Sequence, residues 1–297
     1  MTTSADPSVP ATDQHTLWQE TVLRAVILKL TALDGGELNS TVGELGLGAF
    51  YAAIDAADPS LATQIHDAQN RKAFSLSPLY GITPGRGGRI TIRTGDEARL
   101  RLGLLDDRLF AAFIRQLLAQ RLPAIRLGAV RFAVTEVLGA PESDPWAGYT
   151  TMGDLARLGY PPDRWTLEFA SPTAIRWGKA DDGTRRAELF PLPRMAVAGL
   201  RSRWDALTGD TWGRDFEEWV ERNVIVSRVE RWRTQPFPYR RQTYLGGLGS
   251  LEYRLLDARD QAAAAHLHRL LHLAFYTGIG YKTTHGLGQV RLRFGME

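Results

Sequence analysis

Residues 106–121, DDRLFAAFIRQLLAQR, constrain the fold more than any other segment. They open with two aspartates and then place Leu109, Phe110, Phe113, Ile114, Leu117 and Leu118 three and four apart, the pattern of an N-capped amphipathic helix. On either side the period drops to two. Residues 97–105, EARLRLGLL, put Leu100, Leu102 and Leu104 on one face, and residues 124–138, AIRLGAVRFAVTEVL, read as strand again. A one-faced helix between alternating segments has to cover one face of a sheet. Upstream, residues 20–32 read as an opening strand, and residues 42–57 place Leu45, Leu47, Phe50, Ala53 and Ile54 at helical spacing. Residues 73–80 and 88–94 alternate around a Gly-rich turn, GITPGRGG. The order strand, helix, two or three strands, helix, strand is the βαββαβ pattern of a ferredoxin-like domain.

The second half repeats this order. GAPESDPWAG, residues 139–148, reads as a linker, which divides the chain into domains 1–145 and 146–297. Residues 165–171 read as a strand, 194–207 as a short helix, and 222–233 as a strand alternating apolar with basic side chains. Residues 241–256 read as a bulged strand or hairpin, and 258–276 as a helix that runs through a Gly-rich loop into the strand VRLRF. The expected class is α+β, with two tandem ferredoxin-like domains.

The chain has 297 residues and no cysteine, which excludes disulfides, cysteine-held metals and a thiol nucleophile. Its net charge of +3 is a cancellation. Residues 1–70 carry −7, 71–101 carry +5, 102–221 carry −2 and 222–297 carry +7. Two separated basic segments can make one positive face, as a polyanion partner requires, or two solvated surfaces. Residues 1–14 are polar and acidic, read as a frayed tail, and lack a signal-peptide pattern; with no long apolar run, a cytoplasmic protein without a membrane span is expected.

The Gly-rich loop carries the sharpest chemical pattern. Gly278, Gly280, Gly286 and Gly288 surround Tyr281, Lys282, Thr283, Thr284 and His285. Glycines permit positive φ and close approach to a ligand, and Lys282 with hydroxyls and free N–H groups suits phosphate. The spacing is not that of a P-loop, and a loop between a helix and the last strand is not a Rossmann turn.

A helix running into G-I-G-Y-K-T-T-H-G-L-G-Q-V at the C-terminus resembles the glycine-rich signature of the RAMP superfamily of CRISPR-associated RNA-binding proteins. IHDAQNRKAFSLSPLYG, residues 65–81, resembles the His…Lys-x-Phe-x-x-Ser-x-Leu block of the repeat-cleaving endoribonucleases that process CRISPR precursor transcripts. FASPTAIRWG (169–178), LFPLPRMAVAGLRSRW (189–204) and GGLGSLEYRLL (246–256) resemble that family's second-domain segments, in the same order.

The resemblance implies metal-independent cleavage, in which the ribose 2′-hydroxyl attacks the adjacent phosphate and the 5′-oxygen leaves. No cofactor is implied. The chemistry needs proton transfers and charge stabilisation on the phosphate, suited to histidine and to lysine or arginine. By resemblance, His66 is the general acid or base, Lys72 the electrostatic stabiliser and Tyr51 the partner of the 2′-hydroxyl. His285 is the second choice among the histidines. His268 and His272, at i and i+4, lack the glutamate of a zinc-binding H-E-x-x-H, so no metal site is read there. His15 sits in the tail. Asp106–Asp107 and Asp181–Asp182 read as a helix cap and a turn.

For RNA binding the expected residues are Gly278, Gly280, Lys282, Thr283, His285, Gly286 and Gly288 in the loop, with Arg228, Arg231 and Arg233 on the basic strand. Arg71, Lys72, Arg86, Arg89 and Arg93 form the first basic segment, and Arg222, Arg240 and Arg241 extend the second. Trp232, Phe237 and Tyr239 interleave with the second group and suit base stacking, with a core position the alternative for Trp232 and Phe237. The partner implied is CRISPR repeat RNA, with a CRISPR effector complex and a homodimer left open. A non-catalytic RAMP subunit that holds guide RNA is the alternative function.

Overall fold

In the computed structural model the first domain runs through β1 (Val22–Ala32), β2 (Gly36–Asn39), α1 (Val42–Ala57), α2 (Pro59–Asp67), β3 (Phe74–Leu76), β4 (Arg89–Ile92), β5 (Glu97–Leu104), α3 (Asp107–Leu118), β6 (Ala124–Leu127), β7 (Val130–Leu138) and β8 (Gly148–Thr151). The structure describes residues 18–39, 42–67, 72–82, 89–179, 181, 183, 185–239 and 242–293. The expected tail, His15, Arg71, Arg86, Asp182, Arg240, Arg241 and most of the GITPGRGG turn lie outside the described residues, as does the side chain of Tyr239.

The main sheet is antiparallel in the order β3-β5-β1-β7-β6, with β8 added beside the start of β1. Taking β1, β3, β5 and β7 as the four strands of the βαββαβ unit, the order is that of a ferredoxin-like fold. Phe50 and Ile54 of α1 and Leu109, Phe113 and Leu117 of α3 pack on Val26, Leu28, Leu30, Leu100 and Leu102 of the sheet. Asp106 caps α3, its carboxylate accepting from the Arg108 N–H. The segment 124–138 is a tight hairpin rather than one strand, because Gly128 at φ 58 turns the chain between β6 and β7. The chain leaves the first sheet only after β8, beyond the expected linker.

The second domain contains α4 (Met152–Ala156), β9 (Arg164–Thr173), β10 (Ile175–Lys179), β11 (Arg185–Glu188), α5 (Pro193–Thr208), α6 (Arg214–Asn223), β12 (Val224–Tyr239), β13 (Gln242–Leu255), α7 (Gln261–Thr277) and β14 (Val290–Arg293). Its sheet order, β12-β13-β9-β14, repeats that of the first domain. Val197, Leu200 and Trp204 of α5, Phe216 and Val220 of α6, and Leu267, Leu270 and Leu271 of α7 share a core with Leu167, Phe169, Leu251 and Tyr253. The charged segment 214–223 is a helix, and the expected strand from residue 222 starts only at Val224. Among the described residues no helix is long and apolar enough to cross a membrane.

The two domains are fused through a polar junction under an apolar one. Leu23 and Ala25 of β1 and Leu105 belong to the second domain's core, so β1 is buried on both faces. Beside them Arg101 is wholly buried. Its guanidinium donates to the Trp146 carbonyl (2.8 Å), the Phe275 carbonyl (2.6 Å) and Gln289 Oε1 (2.6 Å). Gln289 in turn donates to the Leu76 carbonyl, and Ser75 Oγ donates to the Tyr276 carbonyl. Gly103 is required at this crossing, since a Cβ there would stand 2.1 Å from the Tyr276 oxygen.

Candidate functional site

Asp58 and Pro59 build the first part of the site. The Asp58 carboxylate accepts from the Leu61 N–H and caps α2, with Pro59 at its first position. That cap starts a second short helix directly after α1, and His66 therefore lies in the last turn of α2 rather than after a helix. Leu61, Ala62 and Ile65 face the core, which leaves His66 outward with its side chain 80% exposed. Tyr51, in the third turn of α1, sits edge-on to the His66 ring, with centroids 6.1 Å apart, and leans on Phe74 of β3. Tyr51, Ala52, Asp55, Ala62, Thr63, His66 and Asp67 line an open depression of about 440 Å³. Burial raises the Tyr51 phenol above its ordinary pKa, so at neutral pH it is a donor and not a base.

Lys72 joins the same group from behind. Its ammonium donates to the Ile65 carbonyl at 2.6 Å and the His66 carbonyl at 2.7 Å, and lies 6.0 Å from the centre of the Tyr51 ring. Burial pulls its pKa down, with the Asp67 carboxylate opposing. Three residues chosen from the sequence thus converge, but the ammonium expected to face a phosphate is turned onto the main chain.

The Gly-rich loop docks on the other end of α1. Gly43, near the helix start, has no room for a side chain: a Cβ would stand 1.8 Å from the His285 carbonyl oxygen. Gly43 and Tyr51 are about 12 Å apart along the axis at ~1.5 Å per residue, so one helix connects the loop to the depression. Gly278, Gly280, Gly286 and Gly288 all have positive φ, and Lys282 shares the left-handed region at φ 57. The loop is pinned by Ile279 N–H to the Gly288 carbonyl, Tyr281 N–H to the Ala174 carbonyl and Gly288 N–H to the Pro172 carbonyl. Thr283 points inward: it is 3% exposed, and its hydroxyl accepts from Arg203 of α5 at 2.9 Å. Arg203 has its pKa lowered to about 10 by burial. Thr284 Oγ1 and His285 Nδ1 are 2.8 Å apart.

Residues missed from the sequence surround Lys282. Arg176 of β10 lies 3.5 Å over the Tyr281 ring, Tyr281 and Tyr244 of β13 are 5.9 Å apart, and the Lys282 ammonium lies 5.3 and 5.7 Å from the two rings. The only signal in the sequence was Tyr281 beside Lys282; Arg176 and Tyr244 arrive from distant strands.

Arg228, Arg231 and Arg233 are exposed on β12, the edge strand of the second sheet. Arg228 pairs with Glu230 at 3.5 Å. Arg231 takes φ 51 where the β12–β13 register slips, and this bulge turns Trp232 inward. The Trp232 indole packs against Phe169 and Phe190, in space that Gly247 leaves open. Phe237 is buried. Of the two readings left open for Trp232 and Phe237, the structure selects core packing. Arg89 and Arg93 lie at the β2–β4 ribbon of the first domain, where Arg89 reaches Glu37 at 3.5 Å.

Of the three histidines of α7, His266 and His268 are buried, and His272 is half-buried at a surface pocket. His268 accepts at Nδ1 from the Trp165 indole N–H, and its ring meets His272 edge-on at 4.5 Å. Among the described residues no group of three or more His, Asp or Glu side chains is placed to hold a metal ion.

The model of the CRISPR-associated endoribonuclease Cas6 family matches residues 167–290, and that of the CRISPR Cas6 N-terminal domain matches residues 25–156. Among solved structures, a product complex of Thermus thermophilus Cas6 superposes with a TM-score of 0.78 at 28% identity, covering 91% of this chain and 100% of that one. A second Cas6 product complex gives 0.70 at 29% identity, covering 92% and 100%. A Cas6 substrate mimic complex gives 0.66 at 27% identity, with the same coverage. Among curated proteins nothing matches the chain.

Proposed function

Since this chain belongs to the Cas6 family of CRISPR-associated endoribonucleases, which bind repeat RNA and process CRISPR precursors, we propose that it cuts by metal-independent transesterification at the Tyr51–His66 depression. The 2′-oxygen of the nucleotide before the cut gives up its proton and bonds to phosphorus. The bond from phosphorus to the 5′-oxygen breaks, and that oxygen takes a proton. The products are a 2′,3′-cyclic phosphate and a 5′-hydroxyl. The exposed imidazole of His66 is the group here that can act as general acid or base. Tyr51, kept protonated by burial, donates a hydrogen bond that orients the 2′-oxygen.

The observation that carries this reading is the meeting of Tyr51 and His66, from two separate helices, at one open surface. The Gly-rich loop at the far end of α1, with Lys282, Arg176 and the two tyrosines beside it, supplies a cationic, aromatic platform for the RNA that leads to the cut.

The test is cleavage of the cognate repeat RNA in excess EDTA. Cutting is expected to persist, to leave a cyclic phosphate, and to stop when the nucleotide before the scissile phosphate is 2′-deoxy. His66→Ala is expected to bind the repeat as wild type does and to cut about 100-fold or more slowly, within the usual worth of a positioned acid or base. Normal cutting of the deoxy substrate would overturn the mechanism.

A further inference from the structure

We propose that a cavity at the seam of the two domains binds a free nucleoside 5′-phosphate, with the phosphate on Arg293, a ribose hydroxyl on Asp154 and the base on the apolar lining. Nothing in it depends on the reading of His66. The cavity measures about 640 Å³, within the roughly 300–1,000 Å³ of small-molecule sites, which favour domain interfaces. It lies between β8, paired to the start of β1, and β14, the edge strand of the second sheet, with α4 and α7 completing the wall.

Leu155 and Leu158, Phe275 and Tyr276 of α7, and Leu292 of β14 form the apolar part. Leu155 and Tyr276 are buried and the other three half-buried. Tyr149 of β8, 58% exposed, adds an aromatic ring on the solvent side. Such rings accept the flat face of any base.

The charges are sorted by element. Arg291 is occupied: it donates to Glu168 at 3.0 Å, and its guanidinium lies 4.9 Å from the centre of the Trp146 ring. Arg293, two residues on and so on the same face of β14, has a side chain 51% exposed and stands 3.9 Å from Glu230, beyond hydrogen-bond distance. Its planar fork of donors suits a phosphate. His272 also lines the cavity, but burial and the neighbouring His268 hold its pKa down at about 4, so the positive charge comes from β14. The negative charge comes from Asp154 of α4, kept ionised by hydrogen bonds from Thr151 and Arg157. Its Oδ2 takes both Thr151 donors and its Oδ1 takes Arg157. Each carboxylate oxygen has about two lone-pair sites, so Oδ1 keeps one for a hydroxyl, the use that acidic residues serve on ribose in dinucleotide sites. A nucleotide inside an RNA chain has a phosphate on either side and an esterified 3′-oxygen. One cationic element and one anionic element match instead a ligand with a single phosphate and free hydroxyls.

The test is calorimetric titration of the full chain with the four nucleoside 5′-monophosphates. At least one is expected to bind, one per chain, with a Kd below about 1 mM. Binding by none, or by inorganic phosphate as tightly, would overturn the proposal. Arg293→Gln is expected to weaken that nucleotide about 10-fold or more and to leave the weaker binding of the matching nucleoside unchanged, because only the phosphate contact is charged. Equal losses on both ligands would remove Arg293 from the site. The 2′,3′-dideoxynucleotide is expected to bind several-fold more weakly than the nucleotide to wild type, and Asp154→Asn to narrow that gap; an unchanged gap would remove Asp154. Repeat RNA made uncleavable by a 2′-deoxy nucleotide before the cut is expected to leave the nucleotide's affinity unchanged. Displacement of the nucleotide would place the cavity on the RNA path and overturn the proposal. The readout is binding alone, so His66→Ala cutting at the wild-type rate, which would sink the cleavage reading, is a separate result.

Discussion

His266 shows how a single side chain sets the pH range of the fold. It is wholly buried, stacked on Trp212 at 4.1 Å, with Phe216 and Trp204 edge-on to it. Burial pushes its pKa down to about 3, and Arg269 and Arg201 push the same way. In the unfolded chain the ring titrates near ~6.5. Above that value both states are neutral and nothing is lost. As pH falls below it, only the unfolded chain takes the proton, so stability drops progressively towards pH 3. At pH 5 the share of His266 is about 2 kcal/mol. His272, lowered to about 4, and His268 add to the same trend. In His266→Phe, the stability lost between pH 7.5 and pH 5, read from urea unfolding, is expected to shrink by about 2 kcal/mol. An undiminished loss would mean that this ring does not titrate as its burial demands. None of this was legible in the sequence, where His266, His268 and His272 are three similar residues on one helix. The cage that distinguishes His266 comes from α5, α6 and the loop between them. The proposal of His66 rests on the opposite kind of signal: its neighbours in sequence, from Ile65 to Leu79, carry the resemblance that singles it out.

At the scale of elements, α1 and α3 read cleanly because each keeps one wet face, and α7 because its apolar run is long. α3 was visible with its Asp106 cap, and α1 and α7 were found within a few residues of their ends. α6 was not expected, because RDFEEWVERN offers only Phe216, Trp219 and Val220 to the core and its charges dominate. The β10–β11 hairpin was missed as well, and with it the position of Arg176 over Tyr281. The Gly-rich loop was visible as a ligand-binding pattern, yet its inner bracing was not. Thr283, expected to face RNA, is the peg on which the loop hangs: its methyl carbon lies where side chains on Gly278 and Gly288 would collide, and its hydroxyl accepts a hydrogen bond from Arg203. Thr283→Val keeps the shape and strands that buried guanidinium, at a cost of about 1–3 kcal/mol. The variant is expected to bind repeat RNA several-fold more weakly, because the loop that carries Lys282 loses its anchor. Thr283→Ser keeps the hydroxyl and is expected to bind nearly as wild type. Equal affinity for Thr283→Val and wild type would show that the loop holds its shape without Arg203.

At the scale of the molecule, the tandem ferredoxin-like plan followed from the order of periodicities, but the manner in which the two domains join did not. The apolar run at the start of β1 is one trace of it, since a strand buried on both faces loses its alternation. The proposed function uses that junction. The proposed catalytic pair, Tyr51 and His66, sits on α1 and α2 of the first domain, while the loop that meets α1 at Gly43 belongs to the second. Arg101 is the centre of the joint, a buried cation held by three acceptors from beyond its own sheet and flanked by the rings of Phe275 and Trp146. Burial lowers its pKa to about 10, which leaves it charged at neutral pH. Arg101→Leu fills part of the space but leaves the Trp146 and Phe275 carbonyls and the Gln289 amide oxygen without a donor, at about 1–3 kcal/mol each. A loss of about 3 kcal/mol or more is expected. Its form matters more than its size: calorimetry of the variant is expected to resolve two transitions where the wild type gives one, because each ferredoxin-like unit keeps its own core. Repeat-RNA affinity should fall with it, since the loop no longer holds a fixed position against α1. A single transition with an unchanged midpoint would show that the apolar contacts of Leu23, Ala25 and Leu105 suffice to couple the domains.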